Sequence, residues 1–288
     1  MTDHREPVTQ GHPITDRVRG FYEAMPFNYY SSSEAALARL EANPIETYPD
    51  LDALLCEDSV KTVLEIGCGA GWATNAMARH YGKHVTGVDM TQRALERAQE
   101  VARLGGTGDF TRFVRADLFD FQPETPADVT VSIGVLHHTR DCRMAFDHVA
   151  GFVPPGGYLF VGLYHLYGRR VFLKLFSDIV AASGEDAAFD HYRRLNPALQ
   201  DESHLRSWFR DQVLHPHETQ HTLEEVMHWL DAAGLDLEST SINRFGAVDD
   251  RAALILAEVA LEALSWQRNV QEERYFPGFF TVLCRRPE

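Results

Sequence analysis

The stretch V-L-E-I-G-C-G-A-G, residues 63–71, decides the fold, because three glycines directly follow a short apolar strand pattern. Glycines at a strand-to-helix turn let the backbone approach a ligand, and the helix that follows offers free N–H groups there. The dinucleotide-binding fingerprint is G-x-G-x-x-G, but Trp72 stands where its third glycine would be, and the spacing here is G-x-G-x-G. Glu65 would repel a pyrophosphate beside this turn. The stretch therefore favours a ligand that carries an ammonium group instead of a phosphate.

Strand and helix patterns alternate from about residue 61 to residue 164, which is typical of βαβ units and a parallel sheet. Thr91 and Asp141 are each placed to cap a helix between two strands. Crossovers of this kind are right-handed, so we expect an open, doubly wound sheet with its ligand beyond the carboxyl ends of the strands. The predicted strands are residues 61–66, 84–89, 111–117, 128–133 and 157–164, followed by a last apolar strand at 278–284.

Carboxylates end the second and third predicted strands. Asp89 is placed to accept hydrogen bonds from ribose hydroxyls, and Asp117 is placed to accept one from an exocyclic amine such as that of adenine. Each acid alone fits a helix cap or a turn residue equally well. Together with Glu65 and the glycine turn, they outline a nucleoside with a cationic tail and no phosphate. S-adenosylmethionine has this chemistry.

In these motifs the chain resembles the class I S-adenosylmethionine-dependent methyltransferases. The resemblance covers about residues 60–165 and rests on V-L-E-I-G-C-G-A-G, T-G-V-D-M, R-A-D-L and S-I-G-V-L-H-H-T. It implies an α/β fold, a Rossmann-like, doubly wound, mostly parallel seven-stranded sheet with an antiparallel last strand and a helical cap insertion. The implied cofactor contacts are Gly67, Gly69, Gly71, Ser132 and Gly134 near the methionine part, Asp89 at the ribose, and Met90, Asp117 and Leu118 at the adenine.

Four parts are predicted along the chain. They are a helical and aromatic N-terminal lid (1–57), the S-adenosylmethionine-binding core (58–164), a helical cap on the acceptor side (165–221) and a C-terminal part of the core fold (222–288). A long helix pattern at 249–266 departs from the family, in which a hairpin is common before the last strand. Pocket closure and contact within a homodimer are both uses for such a helix.

Composition argues against several classes of partner. The formal net charge is −15 over 288 residues, and there is no basic run, so nucleic acid is not an expected partner. No apolar run approaches the roughly 20 residues that span a bilayer, and the N-terminus lacks a signal-peptide core, so we expect a cytoplasmic protein that does not bind membranes. Four cysteines without paired spacing, Cys56, Cys68, Cys142 and Cys284, are typical of free thiols in a reducing compartment.

The methyl group of a sulfonium is already electrophilic, so the enzyme must mainly align the acceptor, and a general base is useful without being obligatory. Candidate bases occur as a pair at each of two strand ends, His137 with His138 and Tyr164 with His165. One histidine of the V-L-H-H run fits a loop-orienting role equally well. Aromatic walls favour an acceptor with an apolar body. The lid is predicted to supply acceptor contacts through Tyr22, Tyr29 and Tyr30.

Residues 217–221, H-E-T-Q-H, match the zinc-protease pattern H-E-x-x-H, in which two histidines one helical turn apart hold a metal. However, Thr222 and Glu225 fit a capping box, so the helix is predicted to begin after His221 and both histidines fall in a loop. A looser metal site of His215, His217, His221 and Glu218 stays open, but no metal is assigned. The preferred role is acceptor binding by His215, His217 and Glu218, with capping of neighbouring loops as the alternative.

We therefore expect a methyltransferase that moves a methyl group from S-adenosylmethionine to an oxygen, nitrogen, carbon or sulfur atom of a small molecule. The alternatives are a protein methyltransferase, an S-adenosylmethionine-binding regulatory protein without catalysis, and a zinc hydrolase that uses His217, Glu218 and His221.

Overall fold

A seven-stranded sheet with helices on both faces forms the centre of the protein, in a computed structural model that describes residues 12–288. The strand order is β3-β2-β1-β4-β5-β7-β6, and β7 runs antiparallel to both of its neighbours. The strands are β1 Thr62–Ile66, β2 His84–Asp89, β3 Thr111–Arg115, β4 Val129–Ile133, β5 Tyr158–Tyr164, β6 Asp236–Thr240 and β7 Phe279–Arg285.

Eleven α-helices are described in residues 12–288, separated by short 3₁₀ turns, with one π-helical turn after the last of them. They are α1 Pro13–Ala24, α2 Ser33–Arg39, α3 Pro49–Leu55, α4 Trp72–Tyr81, α5 Gln92–Gly105, α6 Cys142–Ala150, α7 Leu166–Leu195, α8 Glu202–Val213, α9 Leu223–Ala233, α10 Arg251–Val259 and α11 Leu261–Trp266. Helix α7 is interrupted at Gly184, whose φ is 85°.

Side chains that alternate along the strands enter two separate cores. Leu64 and Ile66 of β1 point to the face covered by α6, α9 and α10, whereas Val63 points to the face covered by α3 and α4. A third apolar cluster joins α7 to α8 and includes Phe172 and Phe209. The cap formed by α7 and α8 therefore has a core of its own, beside the carboxyl ends of the strands.

The predicted doubly wound sheet with an antiparallel last strand is confirmed. Two parts differ from the sequence prediction. Strand β6 was not predicted, because D-L-E-S-T has few apolar residues and pairs with β7 alone. The helix predicted at 249–266 is divided into α10 and α11 at Ala260. Over residues 12–288, no helix has the length and apolar character that crossing a membrane requires.

Candidate active site

A cavity of about 550 Å³ lies at the carboxyl ends of the parallel strands. One side is formed by the glycine turn and by the residues that follow β2 and β3. The other side is formed by α1, α8 and the end of β5. Much of the cavity wall is aromatic, with side chains of Phe27, Tyr30, Tyr48, Phe119, Trp208 and Tyr275. The side at the glycine turn, which we call the cofactor side, resembles a nucleoside-binding site. The opposite side is apolar with a few polar groups, as is usual for a small-molecule pocket.

The glycine turn brings the backbone to the cavity wall. Gly67 has a φ of 74°, and a Cβ atom at this position would lie 2.3 Å from a methyl group of Val135. Only glycine fits both this conformation and this spacing. The Gly69 N–H donates to the Asp89 carboxylate at 2.9 Å, so the first strand-end acid also fixes the turn. Both glycines line the cavity.

Asp89 and Asp117 lie in the cavity wall, together with Met90 and Leu118. Asp89 also accepts hydrogen bonds from the Thr91 N–H (2.8 Å) and hydroxyl (2.7 Å), and burial raises the pKa of its carboxyl group. A carboxylate has about four acceptor sites, so one site remains for a ligand hydroxyl. Asp117 accepts from the Phe119 N–H at 3.0 Å. Both acids are placed to contact a nucleoside.

Helix α1 contacts two parts of the cavity wall and the first turn of α5. The Arg19 guanidinium contacts the Asp117 carboxylate at 3.4 Å, and the Tyr22 hydroxyl donates to the Asp211 carboxylate at 2.6 Å. Glu23 accepts from the Gln92 N–H at 2.9 Å, at the first turn of α5. This last contact corrects the predicted capping of α5 by Thr91. The Thr91 hydroxyl is bound to Asp89, and a carboxylate from the lid takes its place.

Five residues, which we call the polar cluster, meet on the side opposite the glycine turn: Tyr22, His138, Tyr164, Asp211 and Gln212. The Asp211 carboxylate accepts from the hydroxyl groups of Tyr22 and Tyr164 (2.6 and 3.3 Å) and from the Gln212 amide (2.9 Å). The Gln212 amide also donates to the Tyr164 hydroxyl at 2.6 Å. Four of these residues thus join α1, β5 and α8 in one hydrogen-bonded group, and His138 lies beside it.

His138 presents a free nitrogen within this cluster. Its Nδ1 lies 2.9 Å from the His217 carbonyl, which can only accept, so Nδ1 carries the proton and Nε2 carries a lone pair. This Nε2 is buried without a hydrogen-bond partner. Burial lowers the pKa of the imidazole and favours its neutral form. An incoming O–H, N–H or S–H group can donate to it.

Comparison with known proteins agrees with this geometry. Residues 63–157 match a family model described as a methyltransferase domain. They form a class I S-adenosylmethionine-dependent methyltransferase domain. Similar curated proteins include trans-aconitate 2-methyltransferase of Rhizobium leguminosarum bv. trifolii, 34% identical over 39% of this chain and 42% of its own length. A ubiquinone biosynthesis O-methyltransferase of Vibrio parahaemolyticus is 31% identical over 48% of this chain and 59% of its own length.

The alignments span about half the length of the curated relatives that this methyltransferase domain matches. Two solved structures share its fold. One is PKMT2 of Rickettsia typhi in complex with AdoHcy, with a TM-score of 0.56 at 17% identity over 80% of this chain and 50% of that one. The other is a putative sarcosine dimethylglycine methyltransferase of Galdieria sulphuraria, with a TM-score of 0.51 at 12% identity over 84% of each chain.

Two predicted catalytic histidines of the methyltransferase domain and its cap do not line the cavity. His137 is fully buried behind Tyr164 and accepts from the Tyr164 N–H at 3.3 Å. His165 is fully buried at the start of α7, where its ring lies 2.9 Å from the Glu258 carboxylate and accepts from the Gly168 N–H at 3.3 Å. His137 packs behind the end of β5 and His165 caps α7, which corrects their predicted role as bases. His138 and Tyr164 do face the cavity.

The loop after α8 does not form a zincin site. His217 and His221 are outside any helix, and their Nε2 atoms have separate partners, the Thr139 carbonyl (3.0 Å) and the Thr219 hydroxyl (2.8 Å). The predicted capping box at Thr222 is present. The looser set of His215, His217, His221 and Glu218 does not bring its ligand atoms together in the described part of the chain.

Glu218, instead of facing an acceptor, binds a buried arginine. Its two oxygens accept from Nε and a terminal nitrogen of Arg169 at 3.0 and 2.7 Å. Arg169 is fully buried and stacks over the Tyr164 ring, 3.8 Å from its centroid. His217 in turn holds His138 through its carbonyl. The loop therefore supports the polar cluster from behind, which corrects the predicted acceptor contacts of His217 and Glu218.

The other predicted site residues divide between the wall and the interior. Gly134, Tyr22 and Tyr30 line the cavity, whereas Glu65, Gly71, Ser132, Tyr29 and His215 do not. Glu65 is buried against α4, where it accepts from the Thr74 hydroxyl, and burial raises its pKa to about 8. It therefore does not present a charge to the cofactor side. The Tyr29 ring lies outside the cavity beneath Arg97, 4.1 Å from its guanidinium carbon.

Sequence analysis missed Asp211 and Gln212, although both line the cavity and complete the polar cluster. A signal was present in α8. Its inward face carries Leu205 and Trp208, and Asp211 follows Trp208 by three residues on the same face. A carboxylate at an apolar helical position is uncommon, because burying an isolated charge is costly.

Proposed function

We propose that this protein transfers a methyl group from S-adenosylmethionine to a small-molecule acceptor held inside the cavity. One observation carries the proposal: a single cavity joins the glycine turn, Asp89 and Asp117 on one side to the polar cluster on the other. The methionine part would lie along Gly67 and Gly69, the ribose at Asp89, and the adenine between Leu118 and the edge at Asp117. The methyl group would then point to the polar cluster.

The reaction requires an in-line approach of the acceptor atom to the methyl carbon. The bond from this carbon to sulfur breaks, its electron pair stays on sulfur, and a new bond to the acceptor atom forms. The proton of the acceptor passes to Nε2 of His138, whose lone pair has no other partner in the described structure. Positioning of this kind can lower a barrier by roughly 7–11 kcal/mol, so alignment by the cavity contributes more than proton transfer.

The partial closure of the cavity by α1 and its aromatic wall supports a small acceptor with an apolar body. Tyr22 of α1 closes the polar side by binding Asp211, and Tyr30 stacks on His204 with ring centroids 3.9 Å apart. A protein substrate, as the name PKMT2 suggests for one structural neighbour, would need an open groove. A regulatory protein that only binds the cofactor needs no base opposite it. The free Nε2 of His138 in the polar cluster therefore supports catalysis over such a role.

Calorimetry with S-adenosylmethionine tests the cofactor site. Asp89→Ala should weaken binding by about 100-fold or more, since a buried hydrogen bond to a charged group is lost and the glycine turn loses its anchor. Asp109→Ala, at an exposed acid outside the cavity, is the matched control and should bind as the wild type does. Equal affinity in all three proteins would refute the cofactor assignment.

Release of S-adenosylhomocysteine, measured across a panel of small metabolites, tests the acceptor class. We expect turnover with at least one acceptor, and a rate about 10²–10⁴-fold lower for His138→Ala when that acceptor is used. Turnover with unfolded protein or peptides, and with no metabolite, would replace the small-molecule proposal by a protein acceptor. Cofactor binding without turnover on either panel would favour the regulatory alternative.

A further inference from the structure

Three side chains at the polar side of the cavity have the composition of a metal site. His138 follows β4, Asp211 belongs to α8, and His215 lies in the loop after α8. One ligand atom from each residue lies within 4.8 Å of the others. We infer that His138, Asp211 and His215 bind a divalent transition-metal ion. Sequence analysis assigned no metal, because these residues belong to separate segments and match no spacing motif.

The free nitrogens of the two histidines support this inference. Nε2 of His138 and Nε2 of His215 are both buried without a hydrogen-bond partner, and the two ring centroids are 3.7 Å apart. Buried polar atoms usually have a partner, and an ion between these two nitrogens would supply one for both. The Nδ1–H of His138 on the His217 carbonyl is also the arrangement that orients metal-binding histidines.

His215 needs one adjustment. Its Nδ1 accepts from the His217 N–H at 3.1 Å, so in this state the ring proton is on Nε2. Coordination through Nε2 moves that proton to Nδ1, and the contact with the His217 N–H then opens. This contact joins two residues of one loop and is the hydrogen bond that would be given up for the ion.

The absence of a counter-charge near Asp211 within residues 12–288 also supports a bound cation. Asp211 is 5% exposed, and its hydrogen-bond donors, Tyr22, Tyr164 and Gln212, are all neutral. Among the residues that the structure describes, no lysine or arginine forms an ion pair with Asp211. The nearby buried Arg169 is paired with Glu218. A buried carboxylate is costly without a counter-charge, and a bound cation would supply one.

Two imidazoles and one carboxylate select the class of ion. Such a set suits Zn²⁺, Fe²⁺, Co²⁺ or Ni²⁺, whereas Mg²⁺ and Ca²⁺ prefer oxygen ligands alone. His138 and Asp211 line the cavity, so the open coordination positions face it. An acceptor hydroxyl or thiol could then bind the ion through its lone pair. With an ion bound, Nε2 of His138 would be a ligand and would not take the acceptor proton, so its role as a base applies to the metal-free protein. The ion would instead lower the acceptor pKa, and the proton would pass to water.

Metal titration tests the inference directly. Chelator-treated protein is titrated with Co²⁺, followed by its visible absorption, and with Zn²⁺ in a calorimeter. We expect one equivalent to bind the wild type, and affinity to fall by about 100-fold or more in His215→Ala and Asp211→Asn. His228→Ala, at an exposed histidine of α9, is the matched control and should bind like the wild type. Binding of less than one equivalent, or equal affinity in all four proteins, would overturn the inference.

Binding of S-adenosylhomocysteine to the same samples distinguishes failure of the metal site from failure of the proposed function. The role of the ion toward an acceptor rests on the proposed function, but metal binding itself does not. His215→Ala should keep cofactor affinity, because His215 does not line the cavity, and this shows that the variant is folded. Cofactor binding in a wild type that binds no metal would overturn the metal site alone. Metal binding in a wild type that binds no cofactor would overturn the proposed function and leave the metal site standing.

Discussion

Replacing Glu218 by glutamine should destabilise the protein by about 3–5 kcal/mol, because it leaves Arg169 as a buried charge without a counter-charge. The Arg169 side chain is 0% exposed and that of Glu218 is 11% exposed, so water cannot replace the lost carboxylate. Two charge-assisted hydrogen bonds join them, each worth about 1.5–3 kcal/mol. Glutamine keeps one acceptor oxygen but turns an N–H group toward the guanidinium.

Urea denaturation followed by circular dichroism measures this loss. With a slope of about 3 kcal/mol per molar urea, expected for a chain of this size, the midpoint should fall by on the order of 1 M. Helix α7 offers a matched control, because the next residue, Arg170, pairs with Glu262 at the surface. Both partners are nearly half exposed, so Glu262→Gln should leave the midpoint unchanged. Equal midpoints for Glu218→Gln and Glu262→Gln would refute the reasoning.

Three further changes test separate parts of the fold. Burial raises the pKa of Glu65 to about 8, so the folded protein keeps a proton that the unfolded chain releases near pH 4.5. The free energy of unfolding should therefore fall by up to about 5 kcal/mol as the pH rises between these two values. Glu65→Gln should remove this slope, and thermal unfolding curves with the same pH dependence in both proteins would contradict it. Gly67→Ala should destabilise the fold by about 2–4 kcal/mol and weaken cofactor binding, because the new Cβ would meet Val135 at 2.3 Å and the φ of this residue is 74°. An unchanged melting temperature and an unchanged cofactor affinity in calorimetry would exclude this. Thr222→Ala should cost about 1 kcal/mol in urea denaturation through loss of the α9 cap, whereas Thr222→Ser should not.

The sheet and the cofactor side were predictable because their signals are local. A glycine turn after an apolar strand and an acid at a strand end are each contained in a few residues, and parallel strands bring such ends together. Asp89 and Asp117 accordingly lie in one wall with the glycine turn. The capping box at Thr222 was equally local, and it placed His217 and His221 in a loop.

The acceptor side could not be predicted in the same way. Strand β5 ends at Tyr164 and His165 caps α7, so which of these two side chains faces the cavity depends on how the chain turns between strand and helix. Asp211 contacts Tyr22 from a position 189 residues away along the chain. Glu23 similarly replaces Thr91 as the cap of α5 from 69 residues away. Such contacts depend on how lid and cap pack, and no spacing rule carries that information.

The three contacts of α1 have a consequence for turnover. Arg19, Tyr22 and Glu23 occupy little more than one helical turn, yet they reach Asp117 after β3, Asp211 of α8 and the first turn of α5. Under the proposed function, α1 contacts both the cofactor side and the acceptor side of the cavity, so movement of this one helix would open both. Removing any one of the three contacts should therefore raise the off-rates of both methylated product and S-adenosylhomocysteine, measured by stopped flow; a rise for one product alone would contradict this.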